Sequence, residues 1–412
     1  MRSTFILLLC CMCFACAKYP GVPEKYHALL DKALETSGTN QPELAKALES
    51  ATPEMKEGVA FLISYMPERD LKTMKGDDLL SNVKLAYEAR NRFAWAKSVP
   101  DSVFLNDVLP YASLNEERDQ WRADFYKRFA PYVENCKTLE EAIKAVNKNI
   151  RDEVKVDYNT AREKPDQNPS ESIRQGMASC SGLSILLTDA LRSVGIPSRI
   201  AGTANWHDNR GNHNWCEVWL DGKWYFTEYY PNELDRSWFL ADAGKADPKD
   251  RMHAIWASSF KPTGESFPLV WDLKNNDVPA INVTQRYLDI YQEVYQSQLA
   301  GGNYVPLKVM MFKDKRNMRK SDDRVAANVD IFCGKDQIGG CRPLTRNDGN
   351  TGIEAELLLK FFNLRGNLFY DDSISGHIIS LMLTFGKSNI FSPLISSFYK
   401  TRIFEKKQAG YE

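Results

Sequence analysis

The spacing of hydrophobic residues changes twice along the chain and divides it into three stretches. From residue 18 to about residue 150, apolar positions recur every three or four residues, which predicts an N-terminal helical region. Its clearest helical runs are 25–34, 77–96 and 139–149. Thr138 followed by Glu141 has the residue types of a capping box at the start of the last run. We expect this region, 18–150, to shape and cover the domain that follows.

Residues 151–273 predict an α+β domain built from one amphipathic helix and several short strands. The helix ends at Gly195 and Pro197. Its apolar face consists of Leu183, Leu186, Leu187, Ala190, Leu191 and Val194. The predicted elements after it are a strand at 199–204 and a hairpin with arms at 213–220 and 223–230. Asp221-Gly222 between these arms is a strong hairpin signal.

Residues 274–412 predict a β domain that ends in an irregular tail. Apolar runs at 305–312 and 324–332 have the length and composition of strands. The runs at 353–362 and 374–385 are apolar without a clean period, so they predict no particular element.

Residues 1–17 predict a secretory signal peptide. Arg2 precedes a continuous apolar run that ends at Cys16 and is too short to span a bilayer. Cleavage after Ala17 would release a soluble chain, whereas cleavage before Cys16 would free that thiol for a lipid anchor in a membrane. In either case we expect an exported protein, whether periplasmic, bound to the cell envelope as a lipoprotein, or secreted.

The composition narrows the functional class. Lys and Arg number 53 against 54 Asp and Glu, for a net charge of -1, which argues against a nucleic-acid partner. Hydrophobic residues make up 43% and charged residues 26%, as in ordinary folded proteins. The sequence carries no signal of oligomeric state.

The cysteines supply the first candidate for chemistry. Four of the 9 lie in the signal segment, which leaves Cys136, Cys180, Cys216, Cys333 and Cys341. Because five is odd, at least one thiol stays unpaired in a compartment that permits disulfides. Cys180 directly precedes the amphipathic helix, where free N–H groups and the helix dipole stabilise a thiolate and can also hold an oxyanion.

The predicted hairpin brings a histidine and a carboxylate together. With Asp221-Gly222 as a two-residue turn, Trp215 faces Glu228, so Glu228 is the diagonal neighbour of His213 on the same sheet face. A carboxylate on one imidazole nitrogen fixes the tautomer and leaves the other nitrogen for a cysteine. A register shift of one residue would move Glu228 to the opposite face.

Four motifs together resemble a known family. These are Gly176-x-x-x-Cys-x-Gly, a helix ending in Leu191-Arg-Ser-Val-Gly-Ile-Pro, His213-Asn-Trp-Cys-Glu-Val-Trp and Asp221-Gly-Lys-Trp. Their order and spacing resemble the transglutaminase-like branch of the papain-type cysteine enzymes. The resemblance implies an α+β core with Cys180 as nucleophile, His213 as general base and acid, and an acidic third residue. Most members have Asp as that third residue, whereas this chain has Glu228.

The resemblance implies a cysteine enzyme that acts on peptide or side-chain amides through a thioester and needs no cofactor. We favour a peptidase or amidase, because nothing in the sequence suggests a calcium site or an amine channel. The alternatives are a transglutaminase that joins glutamine to amines, and an inactive binding module. No group of Cys, His and acidic residues has zinc-ligand spacing, so we expect no metal.

Several neighbouring residues are candidates for contact with substrate. Trp206, in the loop before the hairpin, and Trp215, on the His213 face, would line the cleft, although cross-strand packing explains Trp215 equally well. Gln175 is a candidate second oxyanion donor, because papain-type enzymes use a side chain upstream of the nucleophile. Cys216 alternates with this face, and we expect it to pack in the core. The sequence does not decide whether Cys333 and Cys341 form a disulfide.

Overall fold

The computed structural model describes residues 18–209, 211–230 and 233–300, and beyond them six strands between residues 304 and 385. The chain forms two compact units. One comprises residues up to Val146 with Asp189–Ser198 and Phe260–Pro262, and the other comprises the rest. The predicted signal segment and its Cys16 lie outside the described residues. Within the described part, no helix is both long enough and apolar enough to cross a membrane.

The first unit is helical. Its helices are α1 (His27–Thr36), α2 (Gln41–Ser50), α3 (Lys56–Tyr65), α4 (Glu68–Leu71), α5 (Gly76–Arg92), α6 (Ala94–Lys97), α7 (Asp101–Asp107), α8 (Trp121–Val133) and the first half of α9 (Leu139–Val154). The three predicted runs coincide with α1, with α5 and α6, and with α9. The capping box is confirmed, because the Glu141 N–H donates to Thr138 Oγ1 at 3.2 Å and the Thr138 N–H donates to Glu141 Oε2 at 3.4 Å.

The second unit contains a six-stranded sheet with helices around it. Its helices are the second half of α9, α10 (Pro169–Gln175), the larger part of α11 (Cys180–Ser193), α12 (Leu240–Ala243) and α13 (Thr284–Ala300). Its strands up to residue 282 are β1 (Asp157–Tyr158), β2 (Met177–Ala178), β3 (Ser198–Thr203), β4 (His213–Leu220), β5 (Lys223–Thr227), β6 (Trp256–Ser258), β7 (Glu265–Ser266) and β8 (Pro279–Asn282). The sheet has the order β5-β4-β3-β6-β8-β7, and β1 pairs separately with β2. The predicted α+β class is confirmed.

The hairpin of β4 and β5 has the predicted register. Asp221 and Gly222 adopt φ values of 49° and 85°, the left-handed conformation that a two-residue type I′ turn requires. Leu220 therefore pairs with Lys223, and the ladder continues to Cys216 opposite Thr227. Strand β5 ends there, so Glu228 lies just beyond the last paired residue.

The sheet buries aromatic side chains on the face that carries Trp215. Trp215, Phe226, Phe239 and Tyr287 are at most 1% exposed and belong to one apolar cluster. Tyr287 comes from α13, which the sequence analysis assigned to the next domain. Two elements of this unit therefore lie beyond residue 273, where the sequence placed the end of the domain: β8 continues the sheet and α13 contributes to its core.

Six further strands lie beyond α13. They are β9 (Tyr304–Phe312), β10 (Val329–Cys333), β11 (Asp336–Cys341), β12 (Ala355–Lys360), β13 (Leu368–Tyr370) and β14 (Ser380–Phe385). They form two sheets of three strands, ordered β12-β9-β14 and β11-β10-β13. The predicted runs at 305–312 and 324–332 overlap β9 and β10, whereas the stretch expected to be irregular contains β12, β13 and β14. The side chains of Cys333 and Cys341 lie outside the described part.

Candidate active site

Helix α11 begins at the candidate nucleophile. Ser179 caps the helix, since its Oγ accepts the Gly182 N–H at 3.0 Å and its carbonyl accepts the Leu183 N–H at 2.9 Å. Cys180 is thus the first helical residue and is half-buried. The backbone N–H groups of Ser181 and Asn214 hydrogen-bond to its sulfur.

Cys180, His213 and Glu228 form a hydrogen-bonded chain. His213 Nε2 lies 2.8 Å from Glu228 Oε1, and the imidazole also hydrogen-bonds to the Cys180 thiol. Because the carboxylate occupies Nε2, Nδ1 is the ring nitrogen left for the sulfur. The turn predicted the proximity of His213 and Glu228, and the start of the helix pointed to Cys180; the structure brings the three side chains together.

The interactions among Cys180, His213 and Glu228 favour a thiolate at Cys180 and an imidazolium at His213. Burial raises the pKa of Cys180, but the hydrogen bond and positive charge of His213, with the two N–H donors, outweigh burial and leave the pKa below its usual value. Burial lowers the pKa of His213, whereas its hydrogen bonds to Cys180 and Glu228 raise it overall to about 9. Both shifts stabilise the same ion pair.

Glu228 is held by two further contacts. The Ser237 hydroxyl donates to its second carboxylate oxygen, Oε2. The Asn147 side-chain amide donates to its backbone carbonyl at 2.6 Å. The carboxylate therefore has a fixed orientation although it follows the end of a strand. No pattern in the sequence indicated Ser237, because no regular element links it to the hairpin.

The backbone of β3 comes very close to β4 beside His213. A Cβ at Gly202 would lie 1.9 Å from Asn214 Oδ1 and 2.7 Å from the His213 carbonyl oxygen. Asn214 in turn donates to Ser181 Oγ at 2.8 Å, which joins β4 to the start of α11. Only glycine allows this approach, so Gly202 contributes to the position of His213.

The structure buries two of the residues that were predicted to contact substrate. Trp206 and Trp215 are 3% and 1% exposed, and their rings stack in parallel at 6.1 Å in the apolar cluster. They support the His213 ring at 6.3 and 5.7 Å instead of lining a cleft. Both are buried because Phe239 and α13 cover this face of the sheet.

An aromatic residue that the sequence analysis passed over lies at the accessible side of His213. Trp238 is 36% exposed, and its ring centroid is 5.1 Å from that of His213. The other aromatic rings in contact with His213, those of Trp206, Trp215 and Phe239, are buried. Among the described aromatic residues around this histidine, Trp238 therefore offers the most surface to a bound molecule.

A buried ionic network fixes β4 from the α13 side. Glu217 is fully buried, and its carboxylate binds Arg199 Nε at 2.8 Å and accepts from the Tyr287 hydroxyl at 2.7 Å. Arg286 also pairs with it. Tyr287 accepts the indole N–H of Trp215 at 2.6 Å, so the network reaches the ring beside His213.

Gln175 is the last residue of α10, and Gly176, with φ of 65°, caps that helix. Its Oε1 accepts the Glu163 N–H at 3.1 Å, while its Nε2 is buried without a hydrogen-bond acceptor in the described part of the chain. A buried, unused donor is compatible with the predicted oxyanion role.

One group of side chains has the atoms to hold a divalent cation. His207, Asp208 and Asp242 bring one nitrogen and two carboxylate oxygens within 4.8 Å of one another. No pattern in the sequence indicates this set, because 34 positions separate Asp208 from Asp242. None of the three belongs to the hydrogen-bonded group of Cys180, His213 and Glu228.

Cys216 is fully buried, as predicted, and lies 3.3 Å from Thr188 Oγ1 of α11.

A family model and two solved structures are similar to parts of this chain. Residues 127–229 match the model of the transglutaminase-like superfamily. A candidate cysteine protease from Cytophaga hutchinsonii is 14% identical with a TM-score of 0.27, over 34% of this chain and 45% of that one. Red sea bream transglutaminase is 9% identical with a TM-score of 0.26, over 70% of this chain and 54% of that one. The chain thus spans about half the length of these two proteins, and no curated protein matches it.

Proposed function

The chain carries a transglutaminase-like core at residues 127–229, and on this premise we propose that it hydrolyses peptide or side-chain amides through a thioester at Cys180. One observation carries the proposal. The thiol, imidazole and carboxylate of Cys180, His213 and Glu228 form a continuous hydrogen-bonded chain at a helix N-terminus, and both shifted pKa values favour the ion pair. An inactive binding module would have no need for this arrangement.

The proposed reaction has two halves. The Cys180 thiolate attacks the amide carbonyl, and backbone N–H groups at the start of α11, with Gln175 as a candidate second donor, stabilise the oxyanion. The His213 imidazolium protonates the leaving amine, so the C–N bond breaks and a thioester forms. Neutral His213 then removes a proton from water, which attacks the thioester and releases the carboxylic acid and the thiol.

Hydrolysis and transamidation differ only in what attacks the thioester. We propose water, because an exported protein meets water in excess, whereas free lysine side chains are presented to it only by other proteins. A degenerate library of acetylated pentapeptides, incubated with a dansylated alkylamine, tests this by mass spectrometry. We expect hydrolysed products that Cys180→Ala abolishes.

Three other outcomes would change the assignment. Incorporation of the amine in excess of hydrolysis would indicate a transamidase. Turnover that persists in Cys180→Ala would refute the nucleophile. Absence of both products with the wild-type protein would favour a binding module.

We also propose export, which rests on Arg2 and the apolar run that ends at Cys16. Exported proteins meet peptides and proteins of the cell envelope or the medium, and these are the substrates we propose. Labelling of growing cells with an alkyne-tagged fatty acid tests the lipid anchor. Label on the wild type but not on Cys16→Ser supports it, and an unlabelled exported protein supports free secretion.

A further inference from the structure

Residues that follow Glu228 also contact the site, although they lie outside the part of the chain that matches the family. Ser237 binds the Glu228 carboxylate, and Phe239 is fully buried with its ring 5.4 Å from that of His213. Trp238 lies between these two anchored residues. Its backbone is therefore fixed on both sides, while more than a third of its side chain stays accessible, at 36%.

The orientation of Trp238 leaves part of its ring free for a ligand. The indole lies at 90° to Phe239 and at 72° to Trp206, so it packs edge-on against the buried aromatic residues. When an apolar group covers an exposed tryptophan, the gain in binding free energy is larger if the indole is already held in one orientation, because less side-chain entropy is lost.

The contact with His213 determines which part of a substrate Trp238 would meet. Resting on the proposed function, His213 must reach the nitrogen of the leaving amine in order to protonate it. A side chain next to His213 therefore lies beside the amine portion of the substrate, not beside the acyl portion that stays on Cys180. The Trp238 ring centroid is 5.1 Å from that of His213, so the indole lies beside the group that would protonate the amine.

We propose that Trp238 is a specificity-determining residue that binds an apolar or aromatic side chain on the amine side of the cleaved amide. Acidic side chains and glycine are disfavoured at this position, since they offer the indole no apolar surface. A hydrophobic contact of this kind discriminates between substrates by about 10-fold or more.

The acetylated pentapeptide library tests the proposal through the residue found on the amine side of each cleaved bond. We expect Phe, Leu and similar residues to be enriched about 10-fold over Gly and Asp with the wild-type protein. Trp238→Ala should abolish the enrichment while cleavage before Gly continues, and Trp238→Phe should retain most of it. Tyr132→Ala, which removes an equally exposed aromatic residue from α8, is the matched control and should behave as the wild type.

Two results would overturn the proposal. Trp238→Ala that slows all peptides equally would indicate a structural role, and an unchanged preference would exclude contact with the amine side. Calorimetric binding of matched Phe and Gly pentapeptides to Cys180→Ala separates this proposal from the proposed hydrolysis. Preferential binding that Trp238→Ala removes supports Trp238 even without turnover, and absence of binding and turnover refutes both.

Discussion

Replacing Glu228 by Gln tests the ion pair directly, because it keeps the shape of the side chain and removes its charge. The rise of the His213 pKa from 6.5 to about 9 corresponds to about 3 kcal/mol in favour of the imidazolium. Cys180 and Glu228 both contribute hydrogen bonds and charge to this rise. Glu228→Gln removes one of these two partners, so the pKa of His213 should fall.

The pKa shifts of Cys180 and His213 predict how turnover depends on pH. Below the pKa of Cys180 the thiol is protonated and cannot attack. Between that pKa and about 9 both the thiolate and the imidazolium are present, and turnover is maximal. Above about pH 9, His213 loses its proton and can no longer protonate the leaving amine, so turnover falls. In Glu228→Gln the upper limit should move to lower pH, because the pKa of His213 falls, and kcat should drop by about 10²–10⁴.

Alkylation by iodoacetamide measures the thiolate without any substrate. Its rate at Cys180, followed by peptide mass spectrometry across pH, gives the pKa of the thiol. Cys136 is an internal comparison, because burial and the charge of Glu141 raise its pKa. We expect Cys180 to react at a lower pH than Cys136. Equal titration of the two thiols would refute the ion pair.

Three further substitutions probe the surroundings of the site. Ser237→Ala removes the donor to the second oxygen of Glu228. We expect kcat to fall about tenfold and the upper pH limit of turnover to move lower, while the melting temperature stays unchanged. A loss of stability alone would contradict a positioning role. Glu217→Gln should lower the free energy of unfolding by about 3–5 kcal/mol in urea. Glu233→Gln, in an exposed ion pair, should change it by less than about 1 kcal/mol, and equal effects would argue against the buried network. Gly202→Ala should slow alkylation of the nucleophile while far-ultraviolet circular dichroism is retained, and wild-type reactivity would show that β4 tolerates the added methyl group.

The parts of the site that were predictable depend on local geometry. The Asp221-Gly222 turn fixes which residues of the hairpin face each other, so the proximity of His213 and Glu228 followed from a two-residue signal. The start of α11 was equally local, because its apolar period begins just after Cys180.

The parts that were missed depend on contacts between distant segments. Alternation along β4 shows that Trp215 shares a face with His213, but not that Tyr287 and Phe239 cover that face. Trp206 and Trp215 therefore looked accessible when they are buried. Ser237 and Trp238 belong to a stretch without periodicity, so no pattern indicated that it returns to the hairpin.

The network around Glu217 has a practical consequence for anyone who subclones only the segment that matches the family. A fragment cut at the limits of the family match, 127–229, would keep Cys180, His213 and Glu228 but lack the whole of α13. Arg286 and Tyr287 would be absent, leaving Glu217 with part of its counter-charge missing and the indole N–H of Trp215 without its acceptor. Such a fragment would be insoluble or unfolded, and its inactivity would carry no information about the chemistry of the intact chain.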